Sequence, residues 1–282
     1  MSFLKFLAKR FIAGETKEEA IKKVKELHSK NIKAILDILG ENVYSKREAL
    51  NYVNQYIKLL DLIKKSKVDA KISIKLTEMG LDINEKFCIN NIGKILRKAK
   101  QTKNFVMFDM ESSKYTDKTI EVFKILYKNH KNLGLCIQSY LKRSEKDIKN
   151  LIKLKPRIRL VKGAYKEPYS ISYRYKKDTD KNYEKILKLL MSKKIPVDIA
   201  THDDKLIELA KKLIRKYKLN KRDYEFQMLL GVRPRLQQEL ANEGYLVRTY
   251  VPYGTHWLPY TLRRLRERKE NLFFVIRHLF KK

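Results

Sequence analysis

Short apolar runs rich in β-branched residues alternate along this chain with longer segments whose apolar positions recur every three or four residues. Side chains repeat with a period of 2 in a strand and about 3.6 in a helix, so the runs predict strands and the segments helices. Eight strands are predicted, at residues 34–39, 71–76, 104–110, 134–138, 158–161, 196–200, 224–228 and 246–251. The clearest helical patterns cover residues 46–65, 117–129, 144–154, 182–193 and 204–217.

The repeated order of strand and helix predicts an α/β protein with a parallel sheet. Eight such units favour a (βα)8 TIM barrel over residues 31–282, preceded by a helical extension at residues 1–30 and ending in a helix from about Trp257. A doubly wound sheet is the alternative. Neither GxGxxG nor GxxxxGK[ST] occurs in the chain, so no nucleotide-binding fingerprint supports that alternative.

The balance of charge is strongly basic, with 65 Lys and Arg against 32 Asp and Glu in 282 residues, a net charge of +33. Such a balance raises the possibility of nucleic acid or an anionic membrane surface as a partner. The lysines are scattered, as on solvated helix faces, whereas 13 of the 17 arginines lie from Arg157 onward. Arginine is the residue that binds carboxylates in a bidentate manner, so this enrichment favours a small anionic ligand over nucleic acid.

Two further features concern the cellular setting. Cys88 and Cys136 form no metal-binding or disulfide spacing, which predicts a reduced, cytoplasmic environment and no metal. Residues 1–13 form a basic amphipathic pattern, which is too interrupted for a spanning helix. Such a segment either docks on the protein core or makes a peripheral contact with the inner face of a membrane.

Polar residues follow most of the predicted strands, where the active site of a (βα)8 barrel is built. They include Lys75, Asp109, Gln138, Arg159, His202, Gln227 and Tyr250. Each of them singly is also compatible with a structural ion pair or, for His202, with a metal ligand or a general base. The last helix places Tyr260, Arg263, Arg264 and Glu267 within about a 100° arc. That face suits a carboxylate clamp, and an exposed, salt-bridged helix is the alternative.

Seven separated segments resemble, in order, the motifs of the proline dehydrogenase family, which are flavin-dependent barrel enzymes. They are residues 73–76, 109–111, 137–140, 159–165, 200–203, 224–227 and 250–267. The resemblance runs from about Gly14 to the end of the chain. It implies a distorted (βα)8 barrel, with FAD at the carboxyl ends of the strands and the last helix covering the substrate. The activity it implies is oxidation of L-proline to 1-pyrroline-5-carboxylate.

Residue roles are carried over motif by motif. Lys75, Arg263 and Arg264 would hold the proline carboxylate, and Tyr250, Tyr260 and Glu267 would complete the substrate site. Asp109 and Arg159 would be the catalytic pair, with Arg159 beside the reactive nitrogen of the flavin. The residues expected to contact FAD are Met110, Gln138, Arg159, Lys162, Gly163, Ala164, Thr201, His202 and Gln227.

The resemblance also implies partners and a specificity. A quinone would accept the electrons, and a separate pyrroline-5-carboxylate dehydrogenase would catalyse the next step. Tyr260 is typical of members that prefer proline to 4-hydroxyproline. The chain departs from the larger bacterial members at Asp203, where they have Asn, which leaves one FAD contact open.

Overall fold

The computed structural model describes residues 8–266 of the chain. Within that part, the strands are β1 (Lys33–Ile38), β2 (Ala70–Ile74), β3 (Val106–Phe108), β4 (Leu133–Gln138), β5 (Arg157–Val161), β6 (Val197–Ala200), β7 (Tyr224–Leu229) and β8 (Val247–Tyr253). The helices are α1 (Lys17–His28), α2 (Lys46–Lys65), α3 (Glu85–Gln101), α4 (Ser113–Tyr127), α5 (Ser144–Leu151), α6 (Lys176–Ser192), α7 (Asp204–Lys216), α8 (Pro234–Asn242) and α9 (Trp257–Arg266).

The eight strands form one closed parallel sheet in chain order, in which β8 pairs with β1. Helices follow the strands and cover the outside of this barrel, so the predicted α/β class and (βα)8 barrel are confirmed. All eight predicted strands occur within a few residues of their expected bounds. The division of the chain at residue 30 stays a prediction. Within residues 8–266, no helix is both long enough and apolar enough to cross a lipid bilayer.

Helix α2 shows why the helical periodicity was informative. Its bounds are those predicted, and it buries one apolar stripe against the sheet, which includes Tyr56, Leu59 and Leu60. Each fully buried side chain of this kind contributes about 1.5–3 kcal/mol of transfer free energy. The chain leaves the helix through Lys67, whose φ of 53° is left-handed and stops the helix.

Two of the described helices, α3 and α8, lie outside the five segments and also outside the predicted N-terminal extension and final helix. Helix α3 contains Asn91 and Gly93 on its buried face, and its start is fixed by Asn84, whose side chain accepts a hydrogen bond from the Phe87 N–H. Helix α8 has only nine residues and begins with Pro234 after a left-handed residue. Polar residues on a buried face and short length both weaken an apolar periodicity.

The described part of the N-terminal segment docks on the barrel. Ala8, Phe11 and Ile12 are buried against Tyr260 and Leu265 of α9, together with apolar residues from the loops after β1 and β7. Docking is therefore the correct interpretation for residues 8–13. The first seven residues lie outside the described part of the chain, so the peripheral membrane contact is untested there.

Candidate functional site

A single cavity of roughly 770 Å³ opens where the carboxyl ends of the strands meet α9. This volume falls in the usual range for a small-molecule or cofactor site. Fifteen of the sixteen predicted site residues line it, namely Lys75, Asp109, Met110, Gln138, Arg159, Lys162, Gly163, Ala164, Thr201, His202, Gln227, Tyr250, Tyr260, Arg263 and Arg264. The sixteenth, Glu267, lies outside the described residues.

Arg159 is the centre of a buried hydrogen-bond network on the floor of the cavity. Its Nε donates to Gln227 Oε1 at 2.7 Å, and its Nη1 forms an ion pair with Asp109 and donates to Ser73 Oγ at 3.2 Å. Asp109 also accepts from Ser73 Oγ at 2.6 Å and from the Tyr250 hydroxyl at 2.8 Å. Burial alone would lower the pKa of Arg159, but the charge of Asp109 keeps it above its ordinary value. The network therefore holds a permanent cation there.

Lys75 is another buried cation of the cavity, and its single positive charge faces two carboxylates. Its Nζ lies 2.8 Å from Asp37 Oδ1 and 3.3 Å from Glu78 Oε1. Burial raises the pKa of Asp37 to about 6, although Lys75 opposes this rise. Burial likewise raises the pKa of Glu78 well above its usual range. One ammonium group cannot neutralise both carboxylates, so this cluster readily holds a proton.

Helix α9 carries the arginine pair to the rim of the cavity. Arg263 Nη2 donates to Glu41 Oε1 at 3.0 Å, and its guanidinium lies over the ring of Tyr165, 5.4 Å from the ring centre. Arg264 lies over the ring of Tyr260 at 5.3 Å. A carboxylate of the chain itself thus binds the exposed edge of Arg263. The alternative of an exposed, salt-bridged helix is wrong for Tyr260 and Arg264, which are buried.

A four-residue charge cluster forms another part of the rim. Lys162 Nζ lies 2.9 Å from Asp203 Oδ2 and 2.5 Å from Asp180 Oδ1, and Lys176 contacts the same two carboxylates. Burial alone would raise the pKa of Asp203, but hydrogen bonds from Lys162 and Lys176 lower it well below its ordinary value. Asp203 also caps α7 by accepting from the Lys205 N–H. These contacts stabilise an aspartate at this position, where the larger bacterial members have asparagine.

Two expected cofactor contacts have backbone roles in the structure. His202 Nε2 accepts a hydrogen bond from the Leu229 N–H at 3.0 Å, which places the proton of the neutral ring on Nδ1. Gly163 has φ +125°, and a Cβ there would lie 2.1 Å from the Tyr140 ring. A glycine is therefore required at this turn, where the chain borders the cavity.

Several cavity residues were not predicted. Asp37 and Glu41 lie in and after β1, and Cys136 lies in β4 beside Arg159. The signal for Asp37 was a carboxylate within an otherwise apolar strand, a position that is expensive unless a cation pairs with it. His256 is exposed but also lines the cavity.

Comparison with known proteins agrees with this geometry. The family model for proline dehydrogenase matches residues 20–277. Proline dehydrogenase 1 of Bacillus subtilis subsp. natto is 40% identical over 275 residues, which cover 98% of this chain and 91% of that protein. The proline dehydrogenase of Deinococcus radiodurans is 37% identical and covers 98% of this chain and 90% of its own length.

A solved structure is also similar. The crystal structure of proline utilization A (PutA) from Bdellovibrio bacteriovorus, inactivated by N-propargylglycine, matches with a TM-score of 0.88 and 28% identity. The match covers 93% of this chain and 32% of that one, so the barrel corresponds to one segment of a larger protein. On the family model, the full-length relatives and the shared barrel, this chain belongs to the proline dehydrogenase family.

Proposed function

We propose that this protein oxidises L-proline to 1-pyrroline-5-carboxylate with FAD as cofactor and a quinone as electron acceptor. The observation that carries the proposal is that one cavity brings four cationic side chains together. Arg159 lies in the buried network on its floor, and Lys75, Arg263 and Arg264 also line it as candidate carboxylate-binding groups. A cavity of this size and charge suits an anionic dinucleotide together with a small amino acid.

The residues at the floor of the cavity fit a flavin. Arg159 Nη2 is buried and has no hydrogen-bond partner among the residues that the structure describes. Such an orphaned donor is costly unless a ligand accepts from it, and an electron-rich ring nitrogen is a suitable acceptor. Gln138, Lys162, Gly163, Ala164, Thr201, His202, Gln227 and the backbone of Met110 would hold the rest of the cofactor. FAD, when bound, supplies the hydride-accepting ring for oxidation of a C–H bond next to nitrogen.

The remaining residues bind and orient the substrate. Lys75, Arg263 and Arg264 would fix the proline carboxylate, and the rings of Tyr250 and Tyr260 would border the pyrrolidine ring. Fixing the carboxylate determines which C–H bond faces the cofactor, which is a proximity effect. Asp109 keeps Arg159 in place, and Glu267 would orient Arg264 from the next turn of the helix.

The proposed electron and product routes follow from the same chemistry. A membrane quinone as acceptor would bring the protein to the inner face of the membrane, with the N-terminal basic amphipathic segment as the contact. The cyclic imine product would pass to a separate pyrroline-5-carboxylate dehydrogenase. The alternative function is binding of polyanions or membrane surfaces, favoured only by the net charge of +33.

Purification in the presence of excess FAD tests the proposal. We expect a yellow protein whose visible absorbance bleaches with L-proline and which reduces an artificial acceptor. Absence of both flavin absorbance and proline-dependent dye reduction would refute it. A colourless protein with salt-dependent affinity for heparin would instead support the polyanion alternative.

A further inference from the structure

Beneath Arg159, the described part of the barrel interior contains a second layer of buried charges, and none of these residues is among those that line the cavity. Glu225 Oε1 accepts from Arg248 Nε at 2.9 Å, and both of its oxygens accept from Lys71 Nζ at 3.0 Å. Asp198 forms an ion pair with Arg157. Asp198 and Glu225 are neighbours across the β6–β7 pairing, and both are at most 1% exposed.

Gln227 connects this layer to Arg159. Its Nε2 donates to Asp198 Oδ2 at 2.8 Å and to Glu225 Oε1 at 2.6 Å, and its Oε1 accepts from Arg159 Nε at 2.7 Å. An ionised carboxylate can accept hydrogen bonds but cannot donate them. Asp198 and Glu225 therefore permit just one orientation of the Gln227 amide. Burial alone would raise the pKa of Glu225, but Arg248, Lys71 and Arg157 lower it well below its ordinary value. Glu225 is therefore an acceptor at every physiological pH.

We infer that Glu225 and Asp198 are positioning residues, which act through Gln227 to fix the guanidinium of Arg159 against the cofactor. The effect on the cofactor rests on the proposed function, whereas the hydrogen bonds among Glu225, Gln227 and Arg159 do not depend on it. Glu225→Gln replaces one of the two acceptors of Gln227 Nε2 by an amide that can also donate, so Asp198 Oδ2 alone then opposes a turn of the Gln227 amide. In the turned amide, Nε2 of Gln227 faces Nε of Arg159, donor against donor, and the guanidinium loses its fixed orientation.

Two variants separate positioning from a simple effect of charge. Glu225→Gln removes a negative charge, and the effect of that charge alone would be to raise the flavin reduction potential. If Arg159 loses its fixed orientation, the reduced flavin loses a positioned cation and the reduction potential falls instead. Lys71→Met removes a cation from the same layer and leaves the bonds of Gln227 intact. Positioning predicts no change for Lys71→Met, whereas a charge effect predicts a lower potential.

The expected result is a lower potential in Glu225→Gln, by about a tenfold loss in preference for the reduced flavin, or about 30 mV for a two-electron couple. The kcat for proline should fall while KM changes little, because Lys75, Arg263 and Arg264 are untouched. A higher potential in Glu225→Gln, or a fall in Lys71→Met, would overturn the inference. If Glu225→Gln does not fold, Asp198→Asn replaces it, with the same expected fall, because Asp198 is the other acceptor of Gln227 Nε2.

A second measurement needs no cofactor. The Nε–H proton of Arg159, followed by ¹⁵N NMR in the apoprotein and assigned with Arg159→Lys, reports whether this hydrogen bond persists. We expect its exchange with water to be at least tenfold faster in Glu225→Gln and unchanged in Lys71→Met. Equal exchange in wild type and Glu225→Gln would refute positioning. A wild-type protein that binds no flavin would refute the proposed function alone, and the exchange result would still decide the inference.

Discussion

Two buried charge clusters share the interior of this barrel and behave in opposite ways. In the lower one, the two buried carboxylates Glu225 and Asp198 pair with three cations, Lys71, Arg157 and Arg248, of which Arg248 also binds the half-exposed Asp69. In the upper one, Lys75 alone faces Asp37 and Glu78. Burial is similar in both.

The pKa shifts of Glu225 in the lower cluster and Glu78 in the upper cluster have opposite signs. In both, burial favours the neutral acid. In the lower cluster, Arg248, Lys71 and Arg157 outweigh burial, and the pKa of Glu225 falls. In the upper cluster, a single lysine does not, and the pKa of Glu78 rises. The number of cations per carboxylate, rather than depth, thus decides whether a buried acid is a permanent charge or a proton store.

The largest expected effect is on stability and compares one carboxylate from each cluster. Glu225→Gln leaves Arg248 and Lys71 without their shared carboxylate and should lower the free energy of unfolding by about 3–5 kcal/mol at neutral pH. Glu78→Gln imitates the protonated acid that the raised pKa favours, so it should cost about 1 kcal/mol or less. Urea denaturation of the two variants and of wild type, all as apoproteins, measures both losses of unfolding free energy. Equal losses would mean that the clusters do not differ.

The next effect concerns the arginine pair at the rim of the same cavity as Lys75. Arg263→Lys keeps the charge but loses the planar fork, so proline binding should weaken by about 1.5–3 kcal/mol, with flavin content unchanged. Titration of the flavin absorbance with proline gives the Kd. Arg235→Lys, on the exposed face of α8, is the matched control and should bind proline as wild type does. An unchanged Kd in Arg263→Lys would remove this residue from the substrate site.

Asp37 of the upper cluster and the nearby buried Glu111, whose carboxylate accepts from the N–H and hydroxyl of Thr77, also predict a dependence of stability on pH. Burial raises the pKa of Glu111 to about 7 and that of Asp37 to about 6, from ordinary values of 4.5 and 3.8. The folded protein therefore keeps protons that the unfolded chain releases. Stability from these groups is complete below about pH 4 and is lost as pH rises to about 7, by at most about 1.4 kcal/mol per pH unit for each group.

Glu111→Gln tests this slope. Chemical denaturation at several pH values between 4.5 and 7 should show a smaller fall in unfolding free energy for the variant than for wild type. Below about pH 4.5 the lower cluster has the opposite effect on stability. The pKa of Glu225 is lowered in the folded protein, so its protonation at acid pH lowers the free energy of unfolding. A wild-type protein that becomes more stable from pH 5 to 7 would contradict the prediction.

The smallest effect concerns substrate choice. Tyr260 lines the cavity one helical turn from Arg263, so Tyr260→Ser should make room for a hydroxyl group. We expect kcat/KM to fall several-fold for L-proline and less for 4-hydroxy-L-proline, a difference of about 1 kcal/mol. Tyr169→Ser, at an exposed ring, is the control. An equal loss for both substrates would assign Tyr260 to the support of α9.

Most of the fold could be predicted from the sequence because apolar periodicity reports burial directly. Both ends of α2 and the order of the eight strands follow from it. Helices α3 and α8 do not, because Asn91 and Gly93 interrupt one stripe and the other is short. Their formation depends on tertiary contacts that no local pattern records.

The candidate site was predicted unevenly for a related reason. Residues within the family motifs lie around one cavity, as expected. Asp37 and Glu78 were not predicted as site residues, because their role depends on contacts with Lys75. These contacts join neighbouring strands and a turn. Pairing of this kind follows from barrel closure and register, which sequence spacing does not contain.

Closure of the barrel also orders the events of biosynthesis. Strand β8 pairs with β1, and α9 then packs on Phe11 near the beginning of the chain. A nascent chain therefore emerges with Arg159 and Lys75 already synthesised but with the barrel open and the arginine pair absent. Since the ribosome makes α9 after every strand, a product released before Tyr253 could neither close its sheet nor assemble the carboxylate end of the cavity.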